Sequence, residues 1–474
     1  MFVGSAGCST MFTGTCLVFT FCTKKSLVLL IGCGRVKGHA PQPPGKPPAM
    51  TASDKNTLNA SRQERFLKAV ELLDSAHSYT RLGAVHALVG LADEYLADKS
   101  LSAEEKHTEG QRIVDVLCAY IRSPFETAFR YDELSQNKPS PHGVYRDNHQ
   151  DFYMHKAELL TEAKVRQQAL QEIHRRLRHF PQGDRRSYVE GSWSGFEYDF
   201  SNSVFFYPVD MKDSWYQNSV DFSGCTYYAS TEFSGSTYER SAYFCDSTYY
   251  DWVFFNNSTY CGEAQWSGST YHDSARFNWS VYYGEVSFHD SVYGGSVFFD
   301  QSLYYDEALF YSSTYRGEAG FDGSLYRGSV FVNDSVFEDE VSLYGSVFCG
   351  ALNFGTDFFG KPFPSRFVQN SPCFVTEKNA QTALFGSSSN NFVVEDSGYP
   401  VSLGANGLPL GCGFLSTEQA DYLAAKSREV YETQTHLRDS QVPQERQDLR
   451  EKLESLSQNI QAWKKEATAL PGGN

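Results

Sequence analysis

The sequence predicts an α+β protein in which a β-solenoid is held between α-helical segments. Three observations carry that reading. Large residues recur with an unbroken period from 222 to 359, the flanks on both sides carry helix-spaced apolar stripes, and the acidity of the chain is concentrated in the periodic part. Of the net charge of −16, residues 190–360 hold 5 basic against 24 acidic side chains, whereas residues 1–189 hold 25 against 20. A middle so acidic is a poor direct grip for nucleic acid, whose phosphates need cations. At 474 residues the chain is too long for one small core and divides into several parts.

From Phe222 the large residues fall at steps that alternate five and six, through Tyr227, Phe233, Tyr238 and Phe244 and onward to Phe354 and Phe359. The unit is therefore eleven residues and reads F-x-x-S-[VT]-Y-x-[GD]-[ES]-[AV]-x, as in FNNSTYCGEAQ (255–265) and FDGSLYRGSVF (321–331). An eleven-residue period also suits a right-handed helical coiled coil. The composition excludes that, because Gly or Asp recurs at the eighth position, β-branched and aromatic residues dominate, and strong helix formers are scarce. Two residues before each ring sits a small side chain, such as Ser269 before Tyr271 or Ala275 before Phe277. In an extended segment residues i and i−2 point the same way, so ring and small residue both face inward. Each ring is then one rung of a core stacked along a rod.

A large residue with a small one two places before it, recurring about every five, resembles the pentapeptide-repeat family. The resemblance implies a right-handed quadrilateral parallel β-helix with four five-residue sides. The extra residue in every second side lengthens the coil to about 22 residues, and a bulge at a corner is the expected way to absorb it. The segments RLGAVHALVGLADEYLAD (81–98), IVDVLCAYIRSPF (113–125) and KVRQQALQEIHRRLR (164–178) are similar to the helical leader of actinobacterial members, and SWSGFEYDFSNSVFF (192–206) to the entry into their solenoid. The likeness spans residues 58–360 and implies a fold more than an activity.

The flanks give the same picture from their own residues. Phe66, Val70 and Leu73 form one apolar stripe, and Leu82, Val85, Leu88 and Leu91 a second. Ile113, Val116, Leu117, Tyr120 and Ile121 mark a third helix, and a fourth is expected from about Leu160 to Leu177. The expected job of this bundle is to cover the open edge of the first coil. Past the repeat, residues 361–415 are rich in Gly, Ser, Asn and Pro and predict an irregular arm. Ser416 and Gln419 then form a capping-box signature, and Leu449, Leu453, Leu456, Ile460 and Trp463 repeat at 4-3-4-3. That spacing suits a hairpin within the chain or a dimerising coil. The organisation is thus 1–49 apolar extension and Pro-rich linker, 50–187 helical leader, 188–360 β-helix, 361–415 arm, and 416–474 C-terminal helices.

The N-terminus carries two apolar stretches, at 15–22 and 26–34, split by Lys24 and Lys25 and each too short to span a bilayer. They leave open a membrane attachment through residues 12–34 on an otherwise cytoplasmic protein. LIGC at 30–33 has the form of a lipoprotein box. Of eleven cysteines, four lie in the first 33 residues; the other seven read as free thiols in a reducing compartment, with Cys118 buried on a helix face.

Chemistry is sparse. His142, His149 and His155 fall in a polar loop with uneven spacing, read as solvated or packed rather than metal-binding. The inward serines have no histidine in register and read as spacers, and Gly294–Gly295 as a turn. No enzyme and no cofactor is expected. Tyr283 and Tyr305 face outward in this register and could stack on sugars in a carbohydrate-binding or lyase β-helix. The basic residues such a lyase wants, Arg240, Arg276, Arg316 and Arg327, are thinly spread. The sharper candidate is an acidic interaction stripe of Glu263, Glu285 and Glu307, one coil apart, on a scaffold for an unidentified protein partner. Residues 222–359 hold 18 acidic and 4 basic side chains. On a rod of roughly 30 Å that is about one net negative charge per 2 Å, near the spacing in duplex DNA. The family resemblance adds a second reading, a DNA mimic that binds a type II topoisomerase or another DNA-groove protein.

Overall fold

The computed structural model describes residues 52–180, 188–376, 381–440 and 442–469. The apolar N-terminal stretches and the Pro-rich linker lie outside the described residues. Thr57–Asn474 forms one compact unit, and the architecture that follows is that of this unit together with the first residues of α1. Its helices are α1 (Ala52–Leu73), α2 (Ser78–Ala97), α3 (Ala103–Arg122), the short α4 (Tyr131–Leu134), α5 (His149–Arg176), α6 (Thr417–Asp439) and α7 (Pro443–Ala467). Between α5 and α6 the chain winds into a four-sided parallel β-solenoid built from two-residue strands.

The four sides are numbered here in chain order. Face 1 begins at Tyr198–Asp199, face 2 at Val204–Phe205, face 3 at Val209–Asp210 and face 4 at Trp215–Tyr216. Each strand pairs in parallel with the one a full coil later, as Thr248 does with Thr270 on face 2 and Ala264 with Val286 on face 1. The coil is 22 residues, as two eleven-residue units require. The rings point inward as expected. On faces 2 and 4 tyrosines stack flat, Tyr227 on Tyr249 at 4.6 Å and Tyr249 on Tyr271 at 4.9 Å between centroids. The phenylalanines of faces 1 and 3 meet edge to face across the axis, as Phe222 and Phe233 do at 4.9 Å. The strand spacing of about 4.8 Å sets the stacking distance, so regular backbone pairing and ring stacking support each other.

The inward serines do more than leave room. The backbone N–H of Ser258 donates to Ser280 Oγ at 3.2 Å, and that of Ser280 to Ser302 Oγ at 3.1 Å, continuing coil by coil to Ser346. Each hydroxyl in turn donates to a carbonyl, Ser280 Oγ to Phe255 O at 3.2 Å. A matching ladder runs up face 2 through Ser247, Ser269, Ser291, Ser313 and Ser335. Serine recurs because a buried corner N–H needs an acceptor.

Corners come in two kinds, and the signal for the sharper kind was at the third position of the unit rather than the eighth. Between faces 1 and 2 and between faces 3 and 4, one residue per corner takes a positive φ. These include Gly224 (65°), Asp246 (55°), Gly268 (70°), Ser312 (54°) and even Trp279 (62°). Gly, Asn and Asp dominate that third position because they enter the left-handed region most easily. It lies on the five-residue side, so the left-handed turn is not where the extra residue sits. Eighth-position glycines instead allow close approach, since a Cβ on Gly284 would lie 2.7 Å from the Gly262 carbonyl oxygen of the coil below.

The leader closes the first coil. Gln111 pairs with both the N–H and the C=O of Glu197, Gln167 donates to Pro208 O, His174 Nε2 contacts Lys212 O at 2.7 Å, and Trp215 N–H donates to Leu177 O. Those groups would otherwise have been an unpaired edge. Leu88, Val114, Leu117 and Ile173 join the solenoid rings in one continuous core. Helix α5 starts at His149, well before Leu160, because Asn148 caps it and Phe152 and Leu159 already bury one face. His149 and His155 therefore lie on a helix, not in a loop.

The stretch 361–415, expected as an irregular arm, adds strands to the end of the solenoid. Arg366–Phe367 extends face 2, Leu384–Phe385 and Gly413–Phe414 extend face 4, and Phe367, Phe374 and Phe385 continue the core. Its low apolar content reflects long excursions between short strands. One excursion displaces Phe359, which the period assigns to the core. Phe359 is 95% exposed at the tip of a turn closed by a Thr356–Pro362 bridge, while Phe358 folds back on Phe331 at 4.0 Å.

Candidate interaction surface

Glu263, Glu285 and Glu307 each stand one residue before a face-1 strand, at the corner between faces 4 and 1. The strands Ala264–Gln265, Val286–Ser287 and Ala308–Leu309 are paired in register, so the three carboxylates rise one above another along the corner. Their backbones are tied directly: Ala264 N–H donates to Glu285 O and Val286 N–H to Glu307 O, both at 3.1 Å. The spacing of 22 in the sequence thus becomes one coil rise in space, and the predicted stripe is assembled. Partial burial raises the Glu285 carboxyl above the usual range, and repulsion from Glu263 and Glu307 adds to it. Glu263 Oε1 accepts from the Gln265 amide. Among the described residues, none of the three has a cation within ion-pair distance. Arg240 lies below the stripe and Arg327 above it in the same corner, while Arg316 lies at the corner between faces 2 and 3. Arg276 sits on face 3 between Trp252 and Phe298, 5.9 and 5.7 Å from their centroids. The four arginines do not converge.

The stripe borders a covered face. Helices α6 and α7 form a hairpin over face 4, and Leu423, Val430, Leu437, Leu453, Leu456 and Ile460 pack on Leu303, Leu325, Val347 and Leu384. Ser416 and Gln419 make the expected capping box. The 4-3-4-3 face of α7 is spent on the solenoid of its own chain. Arg446 and Arg450 reach Glu239 on the solenoid, and Arg450 also pairs with Glu190 at 2.8 Å. Tyr283 and Tyr305 are therefore not an open sugar platform. Tyr283 is buried, stacks on Tyr305 at 5.2 Å and has its hydroxyl 3.3 Å from Ser457 Oγ of α7. The signal for this cover was legible in retrospect. Outward strand residues on face 4 turn apolar from Val281 to Leu303, Leu325 and Val347, whereas face 2 keeps Thr226, Thr248, Thr270 and Thr314.

A second column of acids was not anticipated. On the outer side of face 3, Asn256, Asn278, Asp300 and Asp322 occupy the same place in successive coils, each side chain accepting from the backbone N–H of the coil above. Burial and the neighbouring Asp322 push the Asp300 carboxyl up to about 7. The second position of alternate units, 22 residues apart, held that pattern.

The histidines stay apart from these columns. His155 Nδ1 lies 2.9 Å from Tyr145 Oη, and His142 is exposed. Among the described residues no three metal-ligating side chains come together, and no helix is long and apolar enough to cross a membrane. The described cysteines are free, and Cys118 is buried on α3, where desolvation holds its thiol far above the usual range.

No family model matches the chain. No curated protein matches it either, and neither does any solved structure.

Proposed function

We propose that this protein is a non-catalytic acidic scaffold of the pentapeptide-repeat kind, and that it holds a basic protein partner along the Glu263–Glu285–Glu307 corner. The observation that carries the reading is three stacked carboxylates with, among the described residues, no cation within ion-pair distance. Like charges one coil apart repel, and partial burial of Glu285 raises the cost. A partner's cations relieve both. A basic helix fits the line, because turns of about 5.4 Å nearly match a coil rise of about 4.8 Å. The inward serines support a non-catalytic role, since their hydroxyls are engaged with backbone carbonyls rather than facing a base.

The DNA-mimic reading rests on the charge density of the rod, 18 acidic against 4 basic residues over 222–359. The stripe climbs a corner instead of winding around the axis, which favours a line-shaped cationic partner over a groove built for a duplex. The test is a salt titration of two probes, a lysine-rich helical peptide with cations at i, i+4 and i+7, and a type II topoisomerase. Scaffold binding predicts peptide affinity that falls with salt and drops at least tenfold in the Glu263→Gln/Glu285→Gln/Glu307→Gln variant. Topoisomerase binding with no peptide binding would replace it with mimicry, and peptide affinity unchanged by the triple substitution would refute the stripe.

A further inference from the structure

Outside the core, side chains just past the inward rings also stack from coil to coil, and these outer ladders are short. One runs at the corner between faces 2 and 3. Tyr131 of α4 stacks on Tyr228 at 4.7 Å, Tyr228 on Tyr250 at 4.9 Å, and Tyr250 on His272 at 4.6 Å with the last two planes 3° apart. A second, Tyr283 on Tyr305, lies beneath α7. The third, His289 on Tyr311 at 4.5 Å, ends against the edge of Phe358, which the 356–362 turn folds back on it. Two of the three are thus covered by another segment of this chain.

The Tyr131–His272 ladder ends differently. The strand pairs Thr270–Val292 and Val292–Thr314 place Gly294 one coil above His272, and Arg316 one coil above that. Gly294 has no side chain, so the repeat itself supplies no ring over His272. Among the described residues no ring stacks on the outer face of His272, which is exposed. Two coil rises, about 9.6 Å, separate the His272 and Arg316 positions, and one planar ring at the midpoint would sit about 4.8 Å from each. That is the spacing of every other rung of the ladder.

We propose that the rung over His272 is a binding slot for one electron-rich aromatic side chain, a tyrosine or tryptophan of a partner protein. The ladder's lower end shows the template: there a tyrosine carried on a helix, Tyr131, covers Tyr228. At the upper end the incoming ring stacks on His272 and offers its face to the Arg316 guanidinium, an arrangement that favours indole or phenol over a cationic ring. Asp251, Asp273 and Glu318 lie along the same corner and disfavour anionic planar ligands such as nucleotides. The slot is at the corner diagonally opposite the glutamate stripe and does not depend on that reading.

The test uses the full chain and N-acetyltryptophanamide as probe, followed by NMR of the His272 ring protons and the Gly294 amide. A lone stacking rung gives a millimolar site, so the expected result is a saturable upfield shift confined to His272, Gly294 and Arg316. His272→Ala should weaken binding at least fivefold, and His272→Phe, which restores a ring, should recover it. Non-saturable shifts, shifts spread over many surface residues, or equal binding by the alanine variant would overturn the slot. Concentration-dependent shifts at His272 without probe would overturn it too, since the rung would then be filled by a second copy of the chain.

Discussion

Asp322 donates its backbone N–H to Asp300 Oδ1 at 2.9 Å, stacking two half-buried carboxylates one coil apart. The Asp322 N–H and the Asp322 carboxylate, both in the coil above, act in opposite directions, and burial adds to the second, so the Asp300 carboxyl rises to about 7. An acid whose folded value lies above its unfolded value of about 4 is most stabilising when protonated. Its contribution is complete below about pH 4 and is lost as pH rises through about 7. Asn256 and Asn278 already fill the same column without charge. Asp300→Asn is therefore expected to raise the melting temperature at pH 8 by several degrees, on the order of 2 kcal/mol, and to leave it nearly unchanged at pH 4. Thermal melts of both proteins from pH 4 to 8 check this; parallel curves would contradict it.

The serine ladder makes a second expectation. Ser280→Ala removes the acceptor of the Ser258 N–H and the donor to Phe255 O, both buried. The loss should be about 1–3 kcal/mol, the usual cost of stranding a buried polar group. Ser267 stands beside Trp266 on the outer side, half-buried, and Ser267→Ala should change stability by less than about 0.5 kcal/mol. Chemical denaturation of the pair distinguishes an acceptor role from a size effect.

Lys464 of α7 is 3% exposed and donates to Gly323 O of the solenoid. Burial lowers its ammonium to about 7. A base lowered on folding stabilises fully above its unfolded value of about 10.4, and loses that contribution as pH falls to about 7. Lys464→Met should consequently tighten the hairpin at neutral pH and remove the pH dependence between about 7 and 10. Hydrogen exchange along 443–467 measures it: slower exchange is expected in the variant at pH 7, and faster exchange would show that the amine is needed.

The left-handed corners predict opposite signs for two exchanges. Gly268 has a φ of 70°, so Gly268→Ala should destabilise by about 1 kcal/mol. Ser312 holds a φ of 54° with a side chain attached, so Ser312→Gly should stabilise by up to about 0.5 kcal/mol, net of its contact with Asp334. Equilibrium melts of both variants would settle the signs.

The coil length, the inward direction of Tyr271 and Phe277, the stacking of Glu263 on Glu285 and the capping box at Ser416 were all legible in the sequence. The first three depend on periods of two and eleven residues and on contacts to the neighbouring coil, so the repeats restate them, and the capping box is local to four residues. Positions that break the repeat were read wrongly or missed. Phe359 keeps the period yet leaves the core, because an excursion lengthens that corner and the ring never reaches the axis. The Asn256–Asp322 column went unnoticed because it mixes Asn with Asp and so shows no uniform charge along the repeat.

By itself, then, the chain's pattern determined a rod with rings within and carboxylates without, since strand alternation decides inside from outside locally, and the four sides came with the family resemblance. Only the tertiary structure decided which outer faces remain open. Tyr283 and Tyr250 occupy equivalent outward positions just past an inward ring, yet Tyr283 is shut beneath Ser457, 174 residues away, while Tyr250 stays exposed. Whether an outward side chain meets water or a helix depends on where a distant segment packs, and the repeat marks that only indirectly, in outward positions such as Leu303, Leu325 and Val347 that turn apolar.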